Sequence, residues 1–515
     1  MRWETPWACV SDVGAGRPAR GQARLFALAG LLCWQAVALW LSVAPGIAGR
    51  GHPVGLAGLA AGVLGWAVSL RLLRGLAIHR RRTATWVLLG GQVLLSGVAL
   101  AAPPAGSDDV YRYVWDGRVQ AAGIDPYRYA PLDLRLSTVR TPGLFPGGPG
   151  CTVDHPAGDY PSPDCTVINR PEVRTVYPPV AEAAFWLVSR VRLARDGVLA
   201  FQLAGALVVL TVGLLVLRRA GPARAAVWGW FPPVLTGVIN DAHVDGLAVL
   251  ATVAGLLLAA SVPGARGQDT RVPGARGHPG WAGALLGAAV AIKITPAVVF
   301  PALVRSRWVR VGLAAVAVVA LSYLPHVLAV GPKVLGYLPG YLREEGYENG
   351  VGDRFVLLFW TVGPAHARTV GLLLLALLAA VAAWRADPRD PTRAALLVAG
   401  GSLLVVTPAY PWYGLLAVAL AAAVGRPRWC AVALGPALSY SAVTLGFVQG
   451  RAALWGWSAA ALVVILPGLV RVSLGRWLPL ACSPAAAGSD RPGPPPRGPM
   501  LPPGRHPTRP DTRTP

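Results

Sequence analysis

The sequence predicts an all-α polytopic membrane protein of about twelve transmembrane helices, with a broken re-entrant hairpin and one large extracytoplasmic loop. Three observations predict it. Hydrophobic residues make up 54% of the 515-residue chain and charged residues only 14%, against about 25% charged in soluble domains. Apolar runs approaching the roughly 20 residues needed to cross hydrocarbon recur along the chain. Arginines cluster on alternate connections between those runs, the pattern that marks cytoplasmic loops.

The runs follow in order. Leu25–Val43, Val54–Leu73 and Ala84–Ala102 come first. After a polar stretch come Val198–Leu217, Ala225–Ile239 and Val244–Ala260. The rest are Val309–Val330, Thr369–Trp384, Ala394–Thr407, Trp412–Val424, Trp429–Phe447 and Ala452–Val470. Backbone groups in lipid must bond internally, so each is expected to be a helix. A further apolar run, Trp281–Val304, has arginines before it (Arg266, Arg271, Arg276) and after it (Arg305, Arg307, Arg310). Both of its ends therefore belong on the cytoplasmic side, and Pro296 and Pro301 interrupt its helix. This is the re-entrant hairpin.

Both termini then face the cytoplasm, in the plasma membrane of a cell. Residues 1–480 form one multi-spanning domain, and 481–515, rich in Pro, Arg and Gly, read as a disordered cytoplasmic tail. The first apolar run follows a basic stretch as a signal peptide would, but with spans behind it is read as retained. A net charge of +23 raises nucleic-acid binding, which the topogenic arginines make unnecessary. Only two of the 47 basic residues are lysines, Lys293 and Lys333. The run Val262–Gly267 recurs at Val272–Gly277 in a cytoplasmic loop and carries no chemistry. Cys151 and Cys165 share the large outer loop, where the compartment permits a disulfide, and one is expected.

That loop, residues 103–177, is the place for chemistry, because a long polar segment in a compact protein usually carries function. It opens SDDVYRYVWDGR. As a helix capped by Ser107 or Asp108, it sets Asp109, Tyr113 and Asp116 on one face. An acidic helix start has two readings, a catalytic carboxylate or a charge complementing the helix N-terminus, and spacing does not separate them. Val176-Tyr177-Pro178-Pro179 opens an amphipathic helix running to about Leu193, too polar to span and placed in the outer interface.

The stretch SDDVYRYVWDGRVQAAGIDPYRYAP, followed by TVYPPVAEAAF, NDAHVDG, AIKITPAVVFP and PAYPWYG, resembles the GT-C superfamily of integral membrane glycosyltransferases. More narrowly it resembles the bacterial polyprenyl-phosphomannose-dependent α-mannosyltransferases of cell-envelope assembly. The blocks run in order from about residue 84 to 425. The resemblance implies a polyprenyl-phosphate sugar donor, a glycan or glycolipid acceptor, and an outer-face site with a carboxylate base. The Asp directly before the Val-Tyr pair is Asp109 here; Asp108 beside it departs from the pattern and leaves two adjacent candidates.

Sugar transfer needs a base for the acceptor hydroxyl and cationic or hydrogen-bonding partners for the leaving phosphate. Asp109 is the expected base, with Asp108 second. His243 and Asp245, in Asn240-Asp241-Ala242-His243-Val244-Asp245, read plainly as a polar helix connection, and the resemblance favours a donor-site role. Lys293 lies within an apolar run, where a lysine costs about 2.5–3.5 kcal/mol, so a buried carboxylate or a lipid phosphate is expected beside it. Arg174 and Tyr177 border the outer amphipathic helix where a lipid headgroup would dock. Asp116 shares the face of Asp109. The loop Gly331–Arg354 carries Glu344, Glu345, Glu348, Asp353 and Arg354. Trp412 and Tyr413 suit sugar contact, although interfaces collect such aromatics anyway. No cofactor is expected; a divalent cation would use Asp108 and Asp109, but no set of hard ligands accompanies them. A transporter or lipid-linked-sugar flippase is the rival reading, since broken helices and a buried lysine suit transport. Against it, no internal repeat relates the two halves.

Overall fold

A computed structural model describes residues 17–46, 52–147, 165–191, 193, 197–260, 278–305, 308–344, 354–441 and 445–477. The chain divides into two compact units, Met1–Leu466 and Pro467–Pro515. Among the described residues the fold is helical throughout, with no strand.

The helices are α1 (Arg17–Val43), α2 (Pro53–His79), α3 (Arg81–Ala101), α4 (Asp109–Ala121), α5 (Pro179–Ser189), α6 (Val198–Ala220), α7 (Pro222–Gly229), α8 (Pro232–Val234), α9 (Asp245–Ala259) and α10 (Pro279–Ile292). They continue as α11 (Trp308–Val330), α12 (Leu338–Glu344), α13 (Val356–Val362), α14 (Pro364–Trp384), α15 (Thr392–Val406), α16 (Leu415–Val424), α17 (Ala431–Leu434), α18 (Ala437–Tyr440) and α19 (Gln449–Trp477). Among the described residues, seven helices are long and apolar enough to cross a membrane, or eight if one bent pair counts as a span. Four shorter apolar helices accompany them. This is the architecture of a polytopic membrane protein.

The first three long helices pack through small residues, which let backbones approach where lipid supplies no hydrophobic drive. A Cβ on Gly58 of α2 would lie 2.6 Å from the Ala38 carbonyl oxygen of α1, and one on Gly65 would lie 2.7 Å from Trp34. Gln35 donates to Ser69 at 3.0 Å across the same interface.

Beyond α7 the helices break. Pro232 starts α8, which widens into a π-helical turn over Leu235–Asn240, and α9 leaves at 114° to it. Ala242 lies in that corner with φ 54°, a left-handed conformation that strains a residue with a Cβ. Helix α10 ends at Lys293, whose backbone is extended, and a 3₁₀ helix follows over Thr295–Leu303 with Pro301 inside it. The run expected to form a hairpin is a helix and a 3₁₀ segment broken at the lysine itself.

The run Trp429–Phe447, read above as one span, is corrected. A 3₁₀ turn over Pro427–Cys430, α17 and α18 replace a single helix. Gly435-Pro436 stands between the last two, and proline cannot donate the hydrogen bond that would continue the helix. The helix that opens at Pro179 is also shorter than expected, ending at Ser189. The duplicated 262–277 segment, Cys151, Glu345, Glu348, Asp353 and the 481–515 tail lie outside the described residues. Cys165 is disulfide-bonded.

Candidate active site

Asp109 is the first residue of α4, and Asp108 precedes it without capping the helix through its side chain. The loop that delivers them is stapled from the broken corner. Asn240 donates to the carbonyls of Ala99, Ala102 and Pro103 at 3.1, 3.2 and 3.0 Å. Its own carbonyl accepts the Ala105 N–H at 3.0 Å. Asp241 accepts the N–H groups of Ala105 and Gly106 at 3.2 and 2.8 Å. The end of α3 and the start of the loop after it are thereby satisfied by side chains, to which Gln202 adds a bond to the Ala102 carbonyl at 3.1 Å. The same motif then turns back to the acids: His243 Nδ1 lies 3.5 Å from Asp109 Oδ2. Among the described residues neither ring nitrogen of the buried His243 has a hydrogen-bond partner.

Both acids accept from one amide. Asn169 Nδ2 donates to Asp108 Oδ1 at 2.7 Å and to Asp109 Oδ1 at 2.8 Å. Carboxylates accept only, so the nitrogen must be the atom that faces them.

Lys293 finds its partner in Asp245, Nζ to Oδ2 3.1 Å. The break after Ile292 swings the lysine out of its helix, and the break before Asp245 sets the carboxylate at the start of α9, where helix polarity also favours it. Tyr177 and Tyr413 flank the ammonium, each ring centroid 5.7 Å away. His243 stacks on Trp412 at 3.9 Å, and Trp412 on Tyr410 at 4.7 Å. Tyr440 packs edge-on against this column and donates to the Gly106 carbonyl at 2.7 Å.

These groups surround one cavity of about 1130 Å³. Asp108, Asp109, Asn169, Lys293, Trp412 and Tyr413 line its polar end. Val298, Pro301, Leu375, Val398, Leu403 and Val406, from the 3₁₀ segment and helices α14 and α15, line its apolar extension. Helix α12 lies against the polar end, with Tyr341 bonded to Tyr413 at 2.6 Å and Glu344 ion-paired to Arg170.

Of the residues singled out above, Asp108, Asp109, Lys293, Arg174, Tyr177, Trp412 and Tyr413 line the cavity. His243 and Asp245 stand behind it, each touching a lining residue. Asp116 does not join them. It is buried against Arg112, Nε to Oδ2 3.0 Å, because the helical turn that sets it on the face of Asp109 also buries that face against α5. There it meets Glu182, which accepts from Thr175 at 2.6 Å and from Gln120 at 2.9 Å. Burial, and then the charge of Asp116, pushes Glu182 well above the ordinary carboxylate range. Burial raises Asp116 too, against the pull of Arg112. Burial thus favours the protonated form at this pair, most strongly at Glu182, beside one guanidinium.

The sequence reading missed Asn169, Arg170, Tyr341 and the stapling roles of Asn240 and Asp241. Asn240 and Asp241 sit in the motif that carries His243, so proximity was a signal; nothing local marks Asn169. No group of three or more His, Cys, Asp or Glu side chains among the described residues is arranged to hold a metal.

Residues 175–408 match the profile of glycosyltransferase family 87. No curated protein and no solved structure matches the chain. The match supports a membrane glycosyltransferase. It takes in Tyr177, His243, Asp245 and Lys293, and it begins after Asp108 and Asp109 and ends before Trp412.

Proposed function

We propose that this chain transfers a sugar, mannose by the likeness of its motifs, from a polyprenyl-phosphate carrier to a hydroxyl of an envelope glycan or glycolipid on the extracytoplasmic face. The observation that carries the reading is the cavity, which joins a pair of carboxylates and a lysine at one end to an apolar extension between membrane helices at the other. A lipid phosphate bearing a sugar has that same polarity along its length.

In this reading the acceptor oxygen attacks the anomeric carbon while the bond from that carbon to the phosphate oxygen breaks. The acceptor proton passes to Asp109, and the carrier leaves as a lipid phosphate. Lys293 neutralises charge on the departing phosphate, held in place by Asp245 and flanked by Tyr177 and Tyr413. Arg174 lies on the headgroup side of the cavity. Trp412 and Tyr413 offer flat faces for a sugar ring, and His243 keeps Trp412 and Asp109 in register. Asp116 holds Arg112 rather than substrate.

The test uses purified protein in nanodiscs with radiolabelled polyprenyl-phosphomannose, other lipid-phosphate sugars, and envelope glycan acceptors. Label is expected to move from carrier to acceptor. Label that stays on every carrier, while sealed vesicles holding the protein pass lipid-linked sugar between leaflets, would instead support a flippase.

A further inference from the structure

The segment that presents Asn169 is held from both sides. Towards the outer loop, Val167 N–H and the Thr166 hydroxyl both donate to the Leu144 carbonyl, at 3.1 and 2.7 Å, and Ile168 between them and Asn169 is fully buried. Towards α4, Arg112 donates to the carbonyls of Arg170 and Val173 at 3.4 and 3.1 Å. Arg170 itself is left-handed, with φ 46°, which turns its side chain away to Glu344 while Asn169 faces the acids. Arg112 is anchored in turn by Asp116. Asn169 is thus fixed relative to α4, the helix whose first residue is Asp109. An amide so fixed, giving one N–H to each of two neighbouring carboxylates, sets where their remaining oxygens point.

We propose that Asn169 is a positioning residue for the transfer: its amide clamps Asp108 and Asp109 through one oxygen each, and so presents Asp109 Oδ2, the oxygen on the His243 side, to the acceptor hydroxyl. The inference rests on the reading of Asp109 as base. With Asp109 as the group that takes the proton, Asp108 is the anchor of the clamp. The clamp acts on geometry during reaction and leaves carrier binding alone.

Two variants test it. Asn169→Ala removes both donors; Asn169→Asp keeps the shape and faces the acids with a third carboxylate. With polyprenyl-phosphomannose as donor, Asn169→Ala is expected to lower kcat about 10- to 100-fold, the range that misplacement of a reacting group costs, with KM for the donor within about twofold of wild type. Asn169→Asp is expected to fall further in kcat. A loss confined to KM, or wild-type turnover in both variants, would overturn the proposal. Hydrogen exchange separates it from the parent reading. In Asn169→Ala the amides of 108–112 are expected to exchange faster while those of 114–121 stay as in wild type. If no lipid-phosphate sugar is used by the wild type, the transfer reading fails; the clamp then stands on accelerated exchange at 108–112 and falls if exchange there is unchanged.

Discussion

Helices α1, α2 and α3 run for 27, 27 and 21 residues without a break, whereas among the described residues from Pro232 to Leu303 the longest helix has 15. Both regions are apolar. The difference lies in where backbone hydrogen bonds go. A continuous helix satisfies its own N–H and C=O groups, so α1 and α2 need only surfaces that fit, and small residues such as Gly58 provide them. A broken helix frees backbone groups in a medium that cannot hydrate them, and is tolerated only where protein or a cavity takes them up. At the corner, the Asp241 and His243 N–H groups donate to the carbonyls of Thr236 and Gly237 at 2.8 and 2.9 Å, and Gln202 donates to the Asn240 backbone carbonyl at 2.8 Å. Asn240 and Asp241 satisfy the neighbouring loop, and Asp245 neutralises the lysine at the second break. The places where the fold departs from regular helix are the places that carry His243, Asp245 and Lys293.

The contrast makes predictions that differ by region. The largest concerns the second break. Lys293→Met strands the buried Asp245 carboxylate and is expected to cost about 3–5 kcal/mol, read as thermal unfolding in detergent. Adding Asp245→Leu is expected to recover most of that stability without restoring transfer. An unchanged Tm in the single variant would break the claim that the ion pair secures the break.

Next comes the corner. Asn240→Leu leaves the carbonyls of Ala99 and Pro103 without their side-chain donor, while Ala102 keeps Gln202 and Ala105 keeps Asp241, at an expected cost of about 1–3 kcal/mol. Exchange is expected to rise at 103–107 before it rises anywhere in α1 or α2. In the regular region, Gly58→Ala drives a Cβ against the Ala38 carbonyl and is expected to cost about 1–3 kcal/mol, with KM and kcat both near wild type. A kinetic defect there would erase the distinction between scaffold and site.

The smallest effect is a pH dependence. Unfolded Glu182 titrates near its ordinary value of 4.5, while folded Glu182, buried beside Asp116, keeps its proton to higher pH. The folded state therefore holds more protons above that value, and stability falls as pH rises until the folded group ionises. Glu182→Gln stays neutral and removes this slope. Its Tm is expected to gain ~2 °C on wild type as pH is raised through the neutral range. A constant difference at all pH values would mean that Glu182 is charged in the folded chain.

The regular region was legible from composition because a long apolar run has only one way to satisfy its backbone in lipid. Seven of the expected runs coincide with helices long enough to cross: those beginning near Leu25, Val54, Ala84, Val198, Val309, Thr369 and Ala452. Trp429–Phe447 misled because apolarity outweighed the Gly435-Pro436 signal within it. Among site residues, Lys293 stood out because a charge within an apolar run requires an explanation, whereas Asp109 and His243 were singled out by the resemblance of their motifs, spacing alone leaving both open. Asp116 was misjudged for a physical reason: helical spacing gives the face but not what that face packs on, and here it is Arg112 and α5. Asn169 was hidden because its partners are 60 and 61 residues away, in a contact made only by the folded loop.

The central claim is that one carboxylate at the head of α4 takes the acceptor proton. Its most direct test is single-turnover transfer from radiolabelled polyprenyl-phosphomannose by wild type, Asp109→Asn and Asp108→Asn, with donor binding measured in parallel. The account predicts donor bound in all three, transfer lowered by about 10²–10⁴-fold in Asp109→Asn, and a smaller loss in Asp108→Asn. Transfer that survives in Asp109→Asn and vanishes in Asp108→Asn would contradict it.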